Sequence, residues 1–263
     1  MRHLKSEFDQ DGFVVIREAL DPKKVDYWKE LWFEYMAWNY RVVNQFNPVE
    51  WKIDESMPLD LANIYLDSQL LGMVQSVLGE PQIGLYNRRF VVKDPGMPAV
   101  PLHQDSCYHR GFMNKLSAFV PLTSMHAGNG GMTLYCGTHL YGHLGDAGVI
   151  KREHTKRHNQ YTPTLFPGDM LLMHSSTWHE SAANNSTTSR VLADIHYQPA
   201  TDPTTIETLR ITEHGIWRGP GSARCQWPAT LLNDTFERSR TSRLQELQKS
   251  ADDIDKMLKA RSL

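Results

Sequence analysis

A chain of 263 residues with 28 basic and 30 acidic side chains has a formal net charge of −2; this offers no general attraction to nucleic acid or an anionic membrane, and a small-molecule partner is expected. The length accommodates a sizeable core, as one large domain or two small ones. Cys107, Cys136 and Cys225 are widely spaced and form no CxxC pair, so neither a disulfide framework nor a cysteine-ligated zinc site is indicated, and a reducing cytoplasm is the expected location. The polar start "MRHLKSEFDQDGF" has no apolar signal core, and no apolar run approaches membrane-spanning length.

The first predicted element is the β-branched run "FVVIREAL", bounded by Gly12. Asp21-Pro22 then supplies a cap and a proline at the first helical position, so a strand leads into a helix. Val25, Trp28, Leu31, Trp32 and Tyr35 recur at helical spacing, predicting a helix over 22–37 with one buried aromatic face. The stretch 38–58 mixes Asn, Pro and Trp without a period and reads as a long loop over a pocket. "SQLLGMVQSVLGEP" predicts a short helix stopped by Gly79.

From "IGLYNRRFVVK" onward, short apolar or alternating runs are punctuated by turn formers: "AFVPLT", "GMTLYCGT", "DMLLMHSS", "RVLADIHYQP". Such a sheet-rich middle, over 83–199, suits a sandwich or jelly roll better than a parallel sheet with regular helices. Beyond it "RGPGSARCQWP" reads as an exposed loop. Leu244, Leu247, Ala251, Ile254 and Leu258 predict a helical extension over 234–263 that docks on the same chain or on a second copy, so a monomer or a homodimer is expected. The expectation is one mainly β domain spanning 1–263, with a helical N-terminal part over 1–80 and this C-terminal extension flanking the jelly roll.

The chemistry concentrates in "PLHQDSCYH", residues 101–109. In a strand, residues two apart share a face, so His103 and Asp105 present an imidazole and a carboxylate side by side. A third ligand is available downstream, where His179 follows a strand-like run opened by a Pro-Gly-Asp turn. Two histidines and one carboxylate on one face of a metal leave positions open for other ligands, the arrangement of non-haem Fe(II) oxygenases. His174 lies in the same segment as His179 and is the rival third ligand.

These residues stand in blocks that resemble the phytanoyl-CoA dioxygenase family, a branch of the Fe(II)- and 2-oxoglutarate-dependent oxygenases built on a double-stranded β-helix, the cupin-like jelly roll. "FDQDGFVVIREALDPKKV" resembles its opening strand and helix, "VVKDPG" and "PLHQDS" its approach to the metal motif, "AFVPLTSMHAGNGGMTLYCGTH" its middle block, and "PGDMLLMHSSTWHESAANNSTTSR" its distal histidine and arginine block. The resemblance implies His103, Asp105 and His179 as ligands of Fe(II), with His179 preferred to His174 by its motif context. It implies Arg190 as the anchor of the distal carboxylate of the co-substrate 2-oxoglutarate, Ser181 as a hydroxyl beside it, and Lys93 as a nearby basic group. For Lys93 a solvated charge at a strand end is the alternative reading.

Dioxygen would be the second co-substrate, and the implied reaction is oxidation, foremost hydroxylation, of an unactivated C–H bond with release of succinate and carbon dioxide. The middle block reads "GNGGMTLYCGTH" where relatives carry "ENGPL...PGSH", which alters the pocket lining. His139 in that block reads as a structural turn residue. Retention of Asp105 favours oxidation over halogenation, since halogenases of this class replace that carboxylate. Trp38, Tyr40, Trp51, Tyr65, Arg88, Arg89, His109 and Arg110 are candidates for the pocket mouth. The arginines are too scattered for the phosphates of coenzyme A, so a small polar metabolite, such as a natural-product intermediate, is the expected substrate. A non-catalytic, cupin-like binding protein is the alternative function, and it predicts eroded ligands or a lost anchoring arginine. A metal-dependent hydrolase or isomerase is a third, and it has no need of Arg190 with Ser181.

Overall fold

Short β-branched runs separated by turn formers cannot bury their apolar faces singly, and here they pair into two antiparallel sheets. The computed structural model describes residues 2–38, 49–52, 57–107, 109, 111–144 and 150–222. Tyr40, Arg110, Cys225 and the helix expected over 234–263 lie outside the described residues, as do the side chains of Trp38 and Trp51.

The strands are β1 (Phe13–Ile16), β2 (Val49–Lys52), β3 (Ile83–Lys93), β4 (Val100–His103), β5 (Leu116–Pro121), β6 (Met132–Tyr135), β7 (Gln160–Tyr161), β8 (Met170–His174), β9 (His179–Ser181), β10 (Arg190–Pro199), β11 (Glu207–Thr212) and β12 (Gly215–Pro220). The large sheet runs β1-β8-β5-β10-β3-β11-β12, with β2 also paired to β3, and the small sheet runs β4-β9-β6-β7. Two such sheets facing each other form the jelly roll that the turn-punctuated pattern predicts.

The helices are α1 (Arg2–Asp11), α2 (Pro22–Trp38), α3 (Leu59–Ala62) and α4 (Ser68–Leu78). Helix α2 starts as expected, with the Asp21 carboxylate accepting the Lys23 amide. Helix α4 is capped by Asp67, which accepts from the amides of Gln69 and Leu70, and ends at Gly79 in the left-handed region.

Two apolar layers sandwich the large sheet. Val191, Ala193, Ile195 and Tyr197 of β10 join Trp28 and Trp32 of α2 and Leu70, Leu71 and Val74 of α4 in the outer layer. Leu192 points the other way, into an inner layer with Val91, Phe119, Met132, Leu134 and Leu171 between the sheets. Trp32 against Phe90, with ring centroids 4.7 Å apart, is the kind of contact whose truncation to alanine costs about 3–5 kcal/mol.

The sheet reaches past the expected 83–199 in both directions. β1 closes one edge beside β8, β2 occupies part of the expected 38–58 loop, and the β11–β12 hairpin extends the other edge, taking in Arg218–Pro220 of the expected exposed loop. β12 is an edge strand with mostly exposed side chains, which is why its composition reads as loop. Helix α1 was not anticipated. Its composition is polar, and Phe8 is its one fully buried apolar residue among the described side chains.

Candidate metal centre and anion pocket

His103 closes β4 and His179 opens β9, and the two are direct cross-strand partners of the small sheet. Their ring centroids stand 4.2 Å apart. Asp105 is not on the strand with His103, as the two-residue spacing suggested; it begins a 3₁₀ turn, Asp105–Cys107. The turn bends the carboxylate back, so that Asp105 Oδ1 lies 3.5 Å from His103 Nε2 and 3.7 Å from His179 Nε2. Gln104, between the two, holds the turn: its amide donates to the carbonyls of Gly142 and Ser176 and its oxygen accepts the Leu144 amide.

The tautomers of both histidines follow from their other ring nitrogens. His103 Nδ1 lies 2.8 Å from the Pro101 carbonyl and His179 Nδ1 lies 3.0 Å from the Thr177 carbonyl. A carbonyl only accepts, so each Nδ1 carries the proton and each Nε2 offers a lone pair. Burial and the neighbouring His103 push His179 down to about 4, keeping that lone pair free. Burial opposes ionisation of Asp105, but His179 and His103 outweigh it and hold the carboxyl well below the usual range. For His103, burial acts downward and the hydrogen bond and charge of Asp105 carry the balance upward. One carboxylate oxygen and two imidazole nitrogens, all within 4.8 Å of one another, thus form a set of acceptors that a cation satisfies, and the carbonyl-held Nδ1 protons are the usual outer support of metal-ligating histidines. The donor set fits Fe(II).

A second constellation sits where β3 ends and β10 begins. Lys93 and Arg190 are register partners, with 0% and 2% of their surfaces exposed. Lys93 Nζ crosses to the small sheet, donating to Ser181 Oγ at 2.8 Å and to the Ala182 carbonyl. Arg190 Nη1 donates to the Gly130 carbonyl at 2.6 Å, while its Nε is buried without a partner. Among the described residues neither cation forms an ion pair with a carboxylate. Burial lowers both, Arg190 to about 10 and Lys93, with Arg190 adding its repulsion, to about 7. The solvated alternative for Lys93 is therefore excluded by its burial. Two buried cations and an unpartnered guanidinium nitrogen make a set of donors that an anion would satisfy.

Other sequence-selected residues fall elsewhere. His174 ends β8 facing Phe8 and His139, with its Nδ1 accepting the Ser176 amide, so it does not join the triad. His139 lies in a turn with Nε2 3.1 Å from the Asp9 carbonyl. Arg88 points outward to the Ala62 carbonyl and the Tyr65 ring. Arg89, in contrast, reaches inward to Asp194 at 2.7 Å.

Sequence reasoning did not single out Asp194 or His196 and placed His109 only among the candidates for the pocket mouth. The signal was present: in "RVLADIHYQP", Arg190, Asp194, His196 and Gln198 alternate with Val191, Ala193, Ile195 and Tyr197. Period-two alternation ordinarily marks a polar face turned to water. Here both faces are buried, and the polar one lines the barrel.

A family model described as phytanoyl-CoA dioxygenase matches residues 8–192. Among solved structures, the non-haem alpha-ketoglutarate-dependent epimerase SnoN from nogalamycin biosynthesis is 18% identical, with a TM-score of 0.68, covering 79% of this chain and 84% of that one. EctD from S. alaskensis, solved with 2-oxoglutarate and 5-hydroxyectoine, is 20% identical with a TM-score of 0.64, covering 76% of each chain. The non-haem monooxygenase ThoJ is 22% identical with a TM-score of 0.62, covering 92% of this chain and 96% of that one. At these identities the likeness establishes a shared fold. No curated protein matches the sequence.

Proposed function

Since the chain belongs to the phytanoyl-CoA dioxygenase family across residues 8–192, we propose that it is a non-haem Fe(II)- and 2-oxoglutarate-dependent dioxygenase that hydroxylates an unactivated C–H bond of a small polar metabolite. The observation that carries this reading is the coexistence, in one barrel, of a three-acceptor triad and a buried cationic pocket to which no described carboxylate is ion-paired. A purely binding protein has no need of both. A metal-dependent hydrolase or isomerase needs the triad alone.

His103, Asp105 and His179 would hold the iron, and Arg190, Lys93 and Ser181 the distal carboxylate of 2-oxoglutarate. Iron, 2-oxoglutarate and dioxygen together supply the oxidation, one oxygen atom going to the substrate carbon and the other to succinate as carbon dioxide leaves. The chain's own contribution is positional. The Pro101 and Thr177 carbonyls fix the imidazole tautomers, Gln104 fixes the turn that carries Asp105, and Arg190 offers a planar fork matched to a carboxylate. Leu192, Val91 and Met132 line the space between the sheets and keep water out. The fold shared with SnoN, from a natural-product pathway, supports a secondary metabolite as substrate class.

Anaerobic titration of Fe(II) and 2-oxoglutarate into the protein tests this reading. A weak visible charge-transfer band is expected in wild type, requiring far more 2-oxoglutarate in Arg190→Ala. A folded, metal-loaded wild type that gives no band would overturn it.

A further inference from the structure

Along β10, beyond Leu192, the inner face of the large sheet becomes polar again. Ser117, Asp194 and His196 are there, each no more than 2% exposed. His196 and Ser117 are register partners across β10 and β5, and Asp194 pairs with Arg89 across β10 and β3. Ser117 Oγ and His109 Nδ1 are shut off from solvent without a hydrogen-bond partner, while Asp194 Oδ1 and His196 Nε2 have only each other, 3.0 Å apart.

The cluster is nearly, but not fully, self-satisfied. Arg89 Nε donates to Asp194 Oδ2 at 2.7 Å, and His196 Nδ1 lies 3.1 Å from His109 Nε2. His196 Nε2 pairs with Asp194 Oδ1 at 3.0 Å, so His196 Nδ1 is left to accept from His109 Nε2 and His109 Nδ1 is left as an acceptor. The ring of His109 lies edge-on over His196 and meets Tyr86, closing the cluster. Asp105 and His179 both interact electrostatically with Asp194, so the cluster faces the triad.

Orphaned polar atoms inside a well-packed barrel cost stability and persist where a ligand completes them. With Asp194 already paired to Arg89 and His196, the unpartnered His109 nitrogen is an acceptor and stands with the Ser117 hydroxyl, and a carboxylate, which only accepts, cannot complete that nitrogen. The matching group is a hydrogen-bond donor, neutral or cationic. We propose that Ser117, Asp194, His196 and His109 form a subsite for the donor-bearing end of the substrate, a hydroxyl or an ammonium near the carbon that is oxidised, with the His109 ring turning aside to admit it. This assignment rests on the dioxygenase reading for its role in turnover but not for its binding chemistry.

The histidine ring resonances of the full chain, without added metal or 2-oxoglutarate, test it under titration with 2-aminoethanol and, separately, sodium acetate. The expected result is a saturable shift of the His109 and His196 signals with 2-aminoethanol and none with acetate. Affinity should fall by roughly tenfold or more in Asp194→Asn and in Ser117→Ala. Ser117→Ala removes only an orphaned oxygen, so it serves if Asp194→Asn leaves Arg89 too poorly matched to fold. No saturable shift, an equal response to acetate, or wild-type binding in the folded variants would overturn the subsite. If the shifts appear but the charge-transfer band does not, the dioxygenase reading falls and the subsite stands; the reverse result removes the subsite alone.

Discussion

Lys93 and Arg190 face each other as register partners on β3 and β10, two buried cations on adjacent strands. Each raises the cost of charging the other, and the nearest compensation inside the protein consists of carbonyl and hydroxyl oxygens of Gly130, Ala182 and Ser181. On the proposed function, a dicarboxylate entering this pocket would relieve the repulsion, and part of its binding energy would come from strain already present in the ligand-free fold.

Truncating the fork tests this directly. Arg190→Ala should weaken 2-oxoglutarate binding by about 2–4 kcal/mol, roughly 30- to 1,000-fold, the range for removing one side of a buried charge pair. Ligand-free stability should not fall in proportion, because Arg190 lacks a carboxylate partner. Melting curves with and without 2-oxoglutarate separate the two effects.

The affinity for 2-oxoglutarate should depend on pH through Lys93. With Lys93 lowered to about 7 by burial and by Arg190, the cation is present below that pH and lost above it. A dianion binds the protonated form, so the dissociation constant should rise as pH climbs past about 7, by at most tenfold per pH unit. Calorimetry in buffers of different ionisation enthalpy should register proton uptake on binding near pH 8 in wild type and none in Lys93→Met.

Gly130 is required by its conformation and its neighbours. Its φ is +89°, and an added Cβ would stand 2.3 Å from Lys93 Cδ and 3.1 Å from the Ala182 carbonyl. Gly130→Ala should therefore displace Lys93 and the carbonyl that accepts from Arg190, besides paying about 1–2 kcal/mol for the left-handed backbone. A higher half-saturation for 2-oxoglutarate with unchanged metal affinity is expected from anaerobic titrations.

Metal binding should register as stability. At a free Fe(II) concentration about a hundred times its dissociation constant, the folded state gains about 2.7 kcal/mol. Adding a chelator should remove that increment from the wild-type melting temperature. In His179→Ala or Asp105→Ala the metal should give little increment to remove.

Away from the triad, Lys115 and Asp202 form an ion pair at 2.7 Å with side chains 1% and 0% exposed. Gln198 and Thr204 share the lysine, and Asp202 also accepts the Phe112 amide, tying the segment after the triad to the end of β10. Asp202→Ala leaves the lysine uncompensated and should cost about 3–5 kcal/mol in denaturant unfolding.

The helix over Pro22–Trp38, the stop at Gly79 and most strands were legible in the sequence because each depends on local signals: a cap, a left-handed glycine, a β-branched run. The triad residues were legible from spacing and family blocks, although their geometry was not. Asp105 reaches the two histidines through a turn held by Gln104, and the contacts of Gln104 lie with Gly142, Leu144 and Ser176, far along the chain. β2 and the β11–β12 hairpin escaped notice because they sit at sheet edges, where polar composition reads as loop. Asp194 and His196 were hidden for the opposite reason: alternation of this kind ordinarily marks a wet face, and only tertiary pairing puts a second sheet over it.

The pairing of β4 with β9 joins histidines more than seventy residues apart in the chain. Contacts of such high sequence separation form only after a large loop has closed, which is entropically slow. A nascent or partly folded chain therefore presents His103 and Asp105 alone, a two-ligand fragment with little hold on a divalent ion. Iron loading should then follow completion of the barrel rather than guide it, and stopped-flow refolding should show metal uptake lagging the recovery of the small sheet.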